Sequence, residues 1–198
     1  MRAANLLCAV AVLGACSSAT DNGDEITPLR DKIVFTSTRD GFRQLYVMNT
    51  DGSGIAPLPL DRPGSVFAPA VSPAGRRIAV DLADGEIYVM NADGTEITNL
   101  TNHPAADAFP AWSPDGTRIA FHSNRDGNSD VFVMNADGSD PLNLSNHPAD
   151  DVLPAWAPDG RLAFVTDRDG NNEIYVMNAD GSAPVNLTVN EASDQVPA

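Results

Sequence analysis

Apolar and polar positions along this chain come in short runs that break at Asp-Gly. In Glu173-Ile174-Tyr175-Val176-Met177, Ile174 and Val176 share one face, and Tyr175 and Met177 share the other. Both faces are apolar, which predicts a strand covered on both sides. Arg118-Ile119-Ala120-Phe121 reads the same way. Ten of the 15 glycines directly follow an aspartate. Asp-Gly supplies the positive-φ residue of tight hairpins, so the runs are strands joined by turns. No helical period of 3.6 survives beyond residue 16.

The runs repeat. Tyr46-Val47-Met48-Asn49-Thr50-Asp51-Gly52 returns from Tyr88, Phe132 and Tyr175, at spacings of 42, 44 and 43 residues. Ala111-Trp112-Ser113-Pro114-Asp115-Gly116 returns at 155–160, and more weakly at 70–75. Thr38-Arg39-Asp40-Gly41 returns at 124–127 and 167–170. One unit is a strand ending near Pro-Asp-Gly, a second near Arg-Asp-Gly, a third near Ala-Asp-Gly, and a fourth such as 184–188. Four antiparallel strands per unit, covered on both faces by neighbouring copies, predict an all-β fold, a β-propeller of four repeats at about 32–60, 66–102, 108–146 and 152–198. A sandwich would show one polar face per strand and no repeat.

Composition narrows the picture. The 198 residues carry 12 Lys and Arg against 27 Asp and Glu, a formal charge of −15. That argues against a nucleic-acid partner, which needs clustered cations. Two cysteines exclude a disulfide scaffold and a four-Cys metal site. No apolar run reaches the ~20 residues of a membrane span.

The Trp-Ser-Pro-Asp-Gly (112–116), Arg-Asp-Gly-Asn (168–171) and Tyr-Val-Met-Asn-Ala-Asp-Gly (175–181) stretches resemble the TolB-type, WD40-like (PD40) propeller repeat of bacterial envelope proteins. The resemblance runs from about Lys32 to Ala198. It implies the fold more firmly than the function, since one fold hosts many activities. The family's namesake has six blades; four repeats imply a role other than its own. The first repeat begins at a second strand, Ile33-Val34-Phe35. The last continues into Asp194-Gln195-Val196-Pro197-Ala198, which aligns with Asp107–Ala111 and Asp151–Ala155. Two readings are open. The C-terminal strand closes the first blade, or the propeller is a truncated larger one whose open edges self-associate.

Residues 1–16 read as an export signal, with Arg2 ahead of an apolar stretch, Leu6 to Leu13. Leu13-Gly14-Ala15-Cys16 resembles the lipobox of bacterial lipoproteins. The resemblance implies cleavage before Cys16, lipid on its sulfur, and, from Ser17, an outer-membrane location facing the periplasm. Residues 17–31 read as a flexible tether.

No Gly-x-Ser-x-Gly, His-Glu-x-x-His or phosphate loop is present. His103 and His147 occupy equivalent Asn-His-Pro loops, and Asp107, Asp151 and Asp194 recur just before the inner strand. These five are candidates for a channel-mouth binding site. The plainer reading makes the histidines local loop residues and the aspartates acceptors for backbone N–H groups. His122, after Phe121, reads as an ordinary strand residue. Asp167, Asp169, Asn171 and Glu173 place oxygens at alternate positions like the start of a calcium loop. Asp-Gly-Asn is also what a hairpin turn requires. Trp112 and Trp156 read as packing between blades. The expectation is a non-catalytic, lipid-anchored envelope propeller that binds a protein or peptide, with no cofactor unless calcium binds. Alternatives are the accessory propeller of a serine-peptidase-type hydrolase and a sugar-processing lyase.

Overall fold

The two-sided strands need apolar cover on both faces, and the fold provides it by stacking sheets. A computed structural model describes residues 11–12, 26–60, 62 and 64–198. Four sheets form, each of four antiparallel strands in sequence order. The first holds β1 (Ala11–Val12), β2 (Lys32–Ser37), β3 (Gln44–Asn49) and β4 (Ala56–Pro57). The second holds β5 (Val66–Val71), β6 (Arg77–Leu82), β7 (Ile87–Asn91) and β8 (Thr98–Asn99). The third holds β9 (Asp107–Trp112), β10 (Arg118–Ser123), β11 (Asp130–Asn135) and β12 (Leu142–Asn143). The fourth holds β13 (Asp151–Trp156), β14 (Leu162–Thr166), β15 (Glu173–Met177) and β16 (Val185–Asn186).

Three apolar cores lie between successive sheets. Phe132 and Met134 on β11 pack against Ala79, Ile87 and Val89 of the second sheet. Val131 and Val133, on the opposite face of β11, pack against Leu162, Phe164 and Tyr175 of the fourth. This alternation is the period-2 pattern that the sequence shows. The Ala-Asp-Gly turn of each following sheet seats on the outer strand of the sheet before it. Gly138 and Gly181 have φ of 88° and 82°. A Cβ on them would stand 2.8 Å from the Leu100 carbonyl oxygen and 2.5 Å from that of Leu144. Only glycine allows that approach.

Successive inner strands touch one another, β5 against β9 and β9 against β13, which gathers them on the propeller axis. Each carries a bulge before its Pro-Ala step. The bulge residue has positive φ: Ala68 33°, Phe109 54° and Leu153 54°.

Two findings concern the ends. Closure by the C-terminal strand is not what the structure contains: 194–198 pair with no strand, and the inner place on β2 is held by Ala11–Val12. The reason is separation, since no strand of the fourth sheet packs extensively against the first among the described residues. The described end of the expected tether, 26–31, is tied down. Leu29 is buried in the first core, and its N–H donates to the Gly75 carbonyl at 2.8 Å. The rest of the expected signal and tether, with Cys16, lies outside the described residues.

Candidate functional site

The Asn-His-Pro loops use imidazole as a turn acceptor. His103 Nδ1 accepts the Ala105 N–H, and His147 Nδ1 accepts the Ala149 N–H, both at 3.1 Å. The backbone N–H of each His donates to the acidic residue at the start of the third strand, Glu86 or Asp130. Asn190, in the same place, repeats the arrangement. Its Oδ1 accepts the Ala192 N–H and its N–H donates to Glu173 Oε1 at 3.1 Å. An amide and an imidazole thus do one job, closing the same loop.

That geometry also locates the calcium candidates. Glu173 holds the Asn190 loop and accepts the Thr188 hydroxyl. Asp169 accepts Tyr175 O–H and Asn186 Nδ2, bonds that hold its carboxyl below the usual range, the tyrosine most of all. Asp167 Oδ1 accepts the Asp150 N–H at 3.2 Å. Asn171 donates to Glu173 at 2.8 Å and to the carbonyl of Asn190. Among the described residues no group of three or more His, Cys, Asp or Glu is placed to hold a metal ion.

The recurrent aspartates divide. Asp107 and Asp151 are fully buried, and each takes both carboxylate oxygens to one arginine, Arg125 or Arg168, at 3.0–3.1 Å. Neither the channel nor a backbone N–H is their partner. Each arginine is held from behind by the Ser123 or Thr166 hydroxyl and lies over two aromatic rings, Phe121 and Phe132 or Phe164 and Tyr175. Asp194 is half-buried and accepts Asn190 Nδ2 at 2.7 Å. Trp112 packs in the second core with its indole N–H on the Ala70 carbonyl at 3.1 Å, and Trp156 packs against the third with Arg118 over its ring.

A different strip lies beside the inner-strand bulges. The next-to-last residue of each second strand is Thr36, Asp81, His122 or Val165. The bulge N–H of the next sheet points at this position: Phe109 N–H to Asp81 Oδ1 and Leu153 N–H to His122 Nδ1, both long at 3.4 Å. The Phe109 ring stacks on His122 at 5.3 Å, and Arg43 lies over Phe67 at 4.8 Å. Burial pushes the Asp81 carboxyl up to about 6, against the opposing pull of the Phe109 N–H and Arg43. Burial takes the His122 imidazole down to about 4, although Asp107 and Asp150 favour its cation. At neutral pH the strip therefore carries a neutral imidazole and a carboxylate held in an unfavourable medium. Phe67, Phe109 and Leu153 beside them are half-buried. Asp81 was not a candidate on sequence, and His122 read as an ordinary strand residue. The available signal was a polar residue at a strand position where neighbouring repeats differ.

The family model of the TolB beta propeller domain, PD40, matches residues 59–147 and 110–198. A TolB homolog from Chlorobium luteolum is 30% identical, over 48% of this chain and 32% of its own. The Tol-Pal system protein TolB of Anaeromyxobacter dehalogenans is 37% identical, over 41% of this chain and 19% of its own. The chain thus spans about a third or less of these relatives. The solved structure of a putative TolB from Agrobacterium tumefaciens superimposes with a TM-score of 0.70 at 21% identity, covering 81% of this chain and 62% of that one.

Proposed function

The chain belongs to the TolB β-propeller domain family, and on that premise we propose that it is a non-catalytic propeller of the bacterial cell envelope that binds a protein or peptide at its axis. The observation that carries this reading is the axis strip. Half-buried Phe67, Phe109 and Leu153 stand beside Asp81 and His122 on a rigid scaffold of inner strands. Aromatic anchors with a few buried polar groups are what a peptide-binding centre needs. The polar residues that the sequence nominated for chemistry hold loops and ion pairs instead. The net charge of −15 favours a neutral or basic partner. Relatives of the Tol-Pal system support an envelope setting. Cys16 is proposed as the lipid attachment, facing the periplasm from the outer membrane.

The test is site-specific photo-crosslinking in the producing bacterium. Crosslinkers at Phe109 and Leu153 should trap one discrete partner, and a crosslinker at exposed Leu142 on β12 should not. Equal labelling from all three sites would reject an axis site. Peptide or oligosaccharide turnover that disappears with His103→Ala/His147→Ala would reject the non-catalytic reading. Loss of membrane association in Cys16→Ser checks the anchor.

A further inference from the structure

Five acidic side chains are buried among the described residues, and four of them are fully engaged. Asp107 and Asp151 are each held by an arginine. Asp130 and Glu173 each take three or more donors from their loops. Asp81 is the fifth. It is 7% exposed and lies in register with Phe67 across β5 and β6. Among the described residues its side chain has one hydrogen bond, the Phe109 N–H on Oδ1 at 3.4 Å, and no ion pair. Arg43 lies over the Phe67 ring at 4.8 Å and acts on Asp81 through space.

Two polar atoms are left over here. Asp81 Oδ2 has no hydrogen bond among the described residues, yet it is not sealed in. The Trp156 indole nitrogen is the sole side-chain polar atom there that is both fully buried and unpartnered. Oδ2 therefore reaches accessible surface. His122 Nε2 does so by the same reasoning. His122 Nδ1 accepts the Leu153 N–H, so the neutral ring carries its proton on Nε2, a free donor. Phe109 stands between the two, its N–H on Asp81 and its ring on His122. Capping the bulge does not explain the carboxylate. A hydroxyl or an amide would accept the Phe109 N–H without desolvating a charge. Burial already pushes this carboxyl up to about 6. An acid kept against stability, beside half-buried aromatic rings, points to a ligand.

We propose that Asp81 and His122 receive a lysine or arginine side chain of the partner. The cation pairs with Asp81 Oδ2 beside the Phe67 and Phe109 rings, and a backbone carbonyl of the same segment accepts the His122 Nε2–H. This rests on the reading of the axis as a peptide-binding centre, and it names the residue type that the centre selects. A cation is the occupant because the free acceptor is anionic and because the rings beside it attract cations, as Arg43 on Phe67 already does. The adjoining imidazole sets no like charge against it, since burial takes that ring down to about 4 and leaves it neutral. A metal ion would need more ligands than this pair offers.

The experiment is a titration of the full chain with three blocked tripeptides, centred on Lys, Arg or uncharged norleucine, followed by NMR of the Phe and His rings. Salt at about 0.3 M screens the general charge of −15. The Lys and Arg peptides should shift the Phe67, Phe109 and His122 rings and bind about ten-fold or more tightly than norleucine. Asp81→Asn should abolish that preference and leave the norleucine peptide unchanged. The variant is expected to fold at least as stably as the parent, so lost binding is not lost folding. Binding that ignores the central charge, a preference that survives Asp81→Asn, or shifts that collect elsewhere overturns the proposal. So does a failure of the Lys and Arg peptides to saturate by about 10 mM. The two readings fail separately. If crosslinkers at Phe109 and Leu153 trap a partner in equal yield from Asp81→Asn, the cation site falls and the axis reading stands. If the Lys peptide binds at Asp81 and no partner is trapped, the axis reading falls and the cation site stands.

Discussion

Replacing Asp81 with Asn isolates one of two opposed pH dependences on the axis. The Asp81 carboxyl titrates at about 6 in the folded chain, against an ordinary 3.8. Between those values the folded state holds a proton that the unfolded chain has released, so stability falls as pH rises. That displacement of about 2 pH units is worth about 3 kcal/mol. His122 titrates at about 4, against 6.5. Between those values the unfolded chain takes up a proton that the folded imidazole refuses, so stability falls as pH drops. Its displacement is also worth roughly 3 kcal/mol. From pH 4 to 6 the two slopes oppose and largely cancel. Asn keeps the shape of Asp81 and can still accept the Phe109 N–H, but it has no charge to desolvate. Asp81→Asn should therefore match the parent near pH 4 and exceed it by up to about 3 kcal/mol above pH 6. Its stability should climb between pH 4 and 6.5, with the His122 slope no longer masked. Exposed turn carboxylates such as Asp93 and Asp137, held low by their Thr95 and Ser139 partners, lose their contribution as pH falls through their folded values. They are common to both proteins and drop out of the difference. Urea unfolding across pH 4 to 7.5 reads it directly. A difference that is constant with pH, or a variant less stable at pH 7.5, would refute the burial argument.

The other predictions concern the scaffold. Arg125→Met strips fully buried Asp107 of its bidentate partner and should cost about 3–5 kcal/mol in urea unfolding. Adding Asp107→Asn should recover much of that loss. Gly138 and Gly160 have nearly equal φ, 88° and 85°, so replacement by Ala costs each about 1–2 kcal/mol in backbone strain. Gly138→Ala should cost more, because its Cβ would meet the Leu100 carbonyl whereas Gly160 faces open space. Equal losses in thermal melts would mean that the turn does not seat on the preceding sheet. Trp112→Phe removes the bond to the Ala70 carbonyl and should cost about 1 kcal/mol beyond packing. Trp156→Phe should cost less, because it removes a buried indole N–H that has no partner.

The fold was legible because its causes are local and repeated. Asp-Gly turns fix strand ends, and two-sided apolar runs such as 130–135 require a sheet on each face. The repeat period then leaves few architectures. The candidate site was less legible, because a recurrent residue in a propeller serves the repeat first. His103 and His147 recur because a loop needs an acceptor, a need that Asn190 meets equally. Recurrence selected scaffold residues, whereas the axis chemistry sits at a position that varies: Thr36, Asp81, His122, Val165. In repeat proteins the departure from the pattern is the better signal for a site.

The aspartates show where one-dimensional reading stopped and how far it could have gone. Asp107 and Asp151 open the inner strand, and Arg125 and Arg168 lie two residues past the end of the second strand of the same sheet. A hairpin folds the chain back between them, so residues 17 or 18 apart meet across one sheet. A buried carboxylate at full desolvation needs such a partner, and here one Nη2 of the arginine serves both oxygens while its Nε donates to the Ser123 or Thr166 hydroxyl. The second repeat already carried the proof of coupling, since it has lost Asp and Arg together.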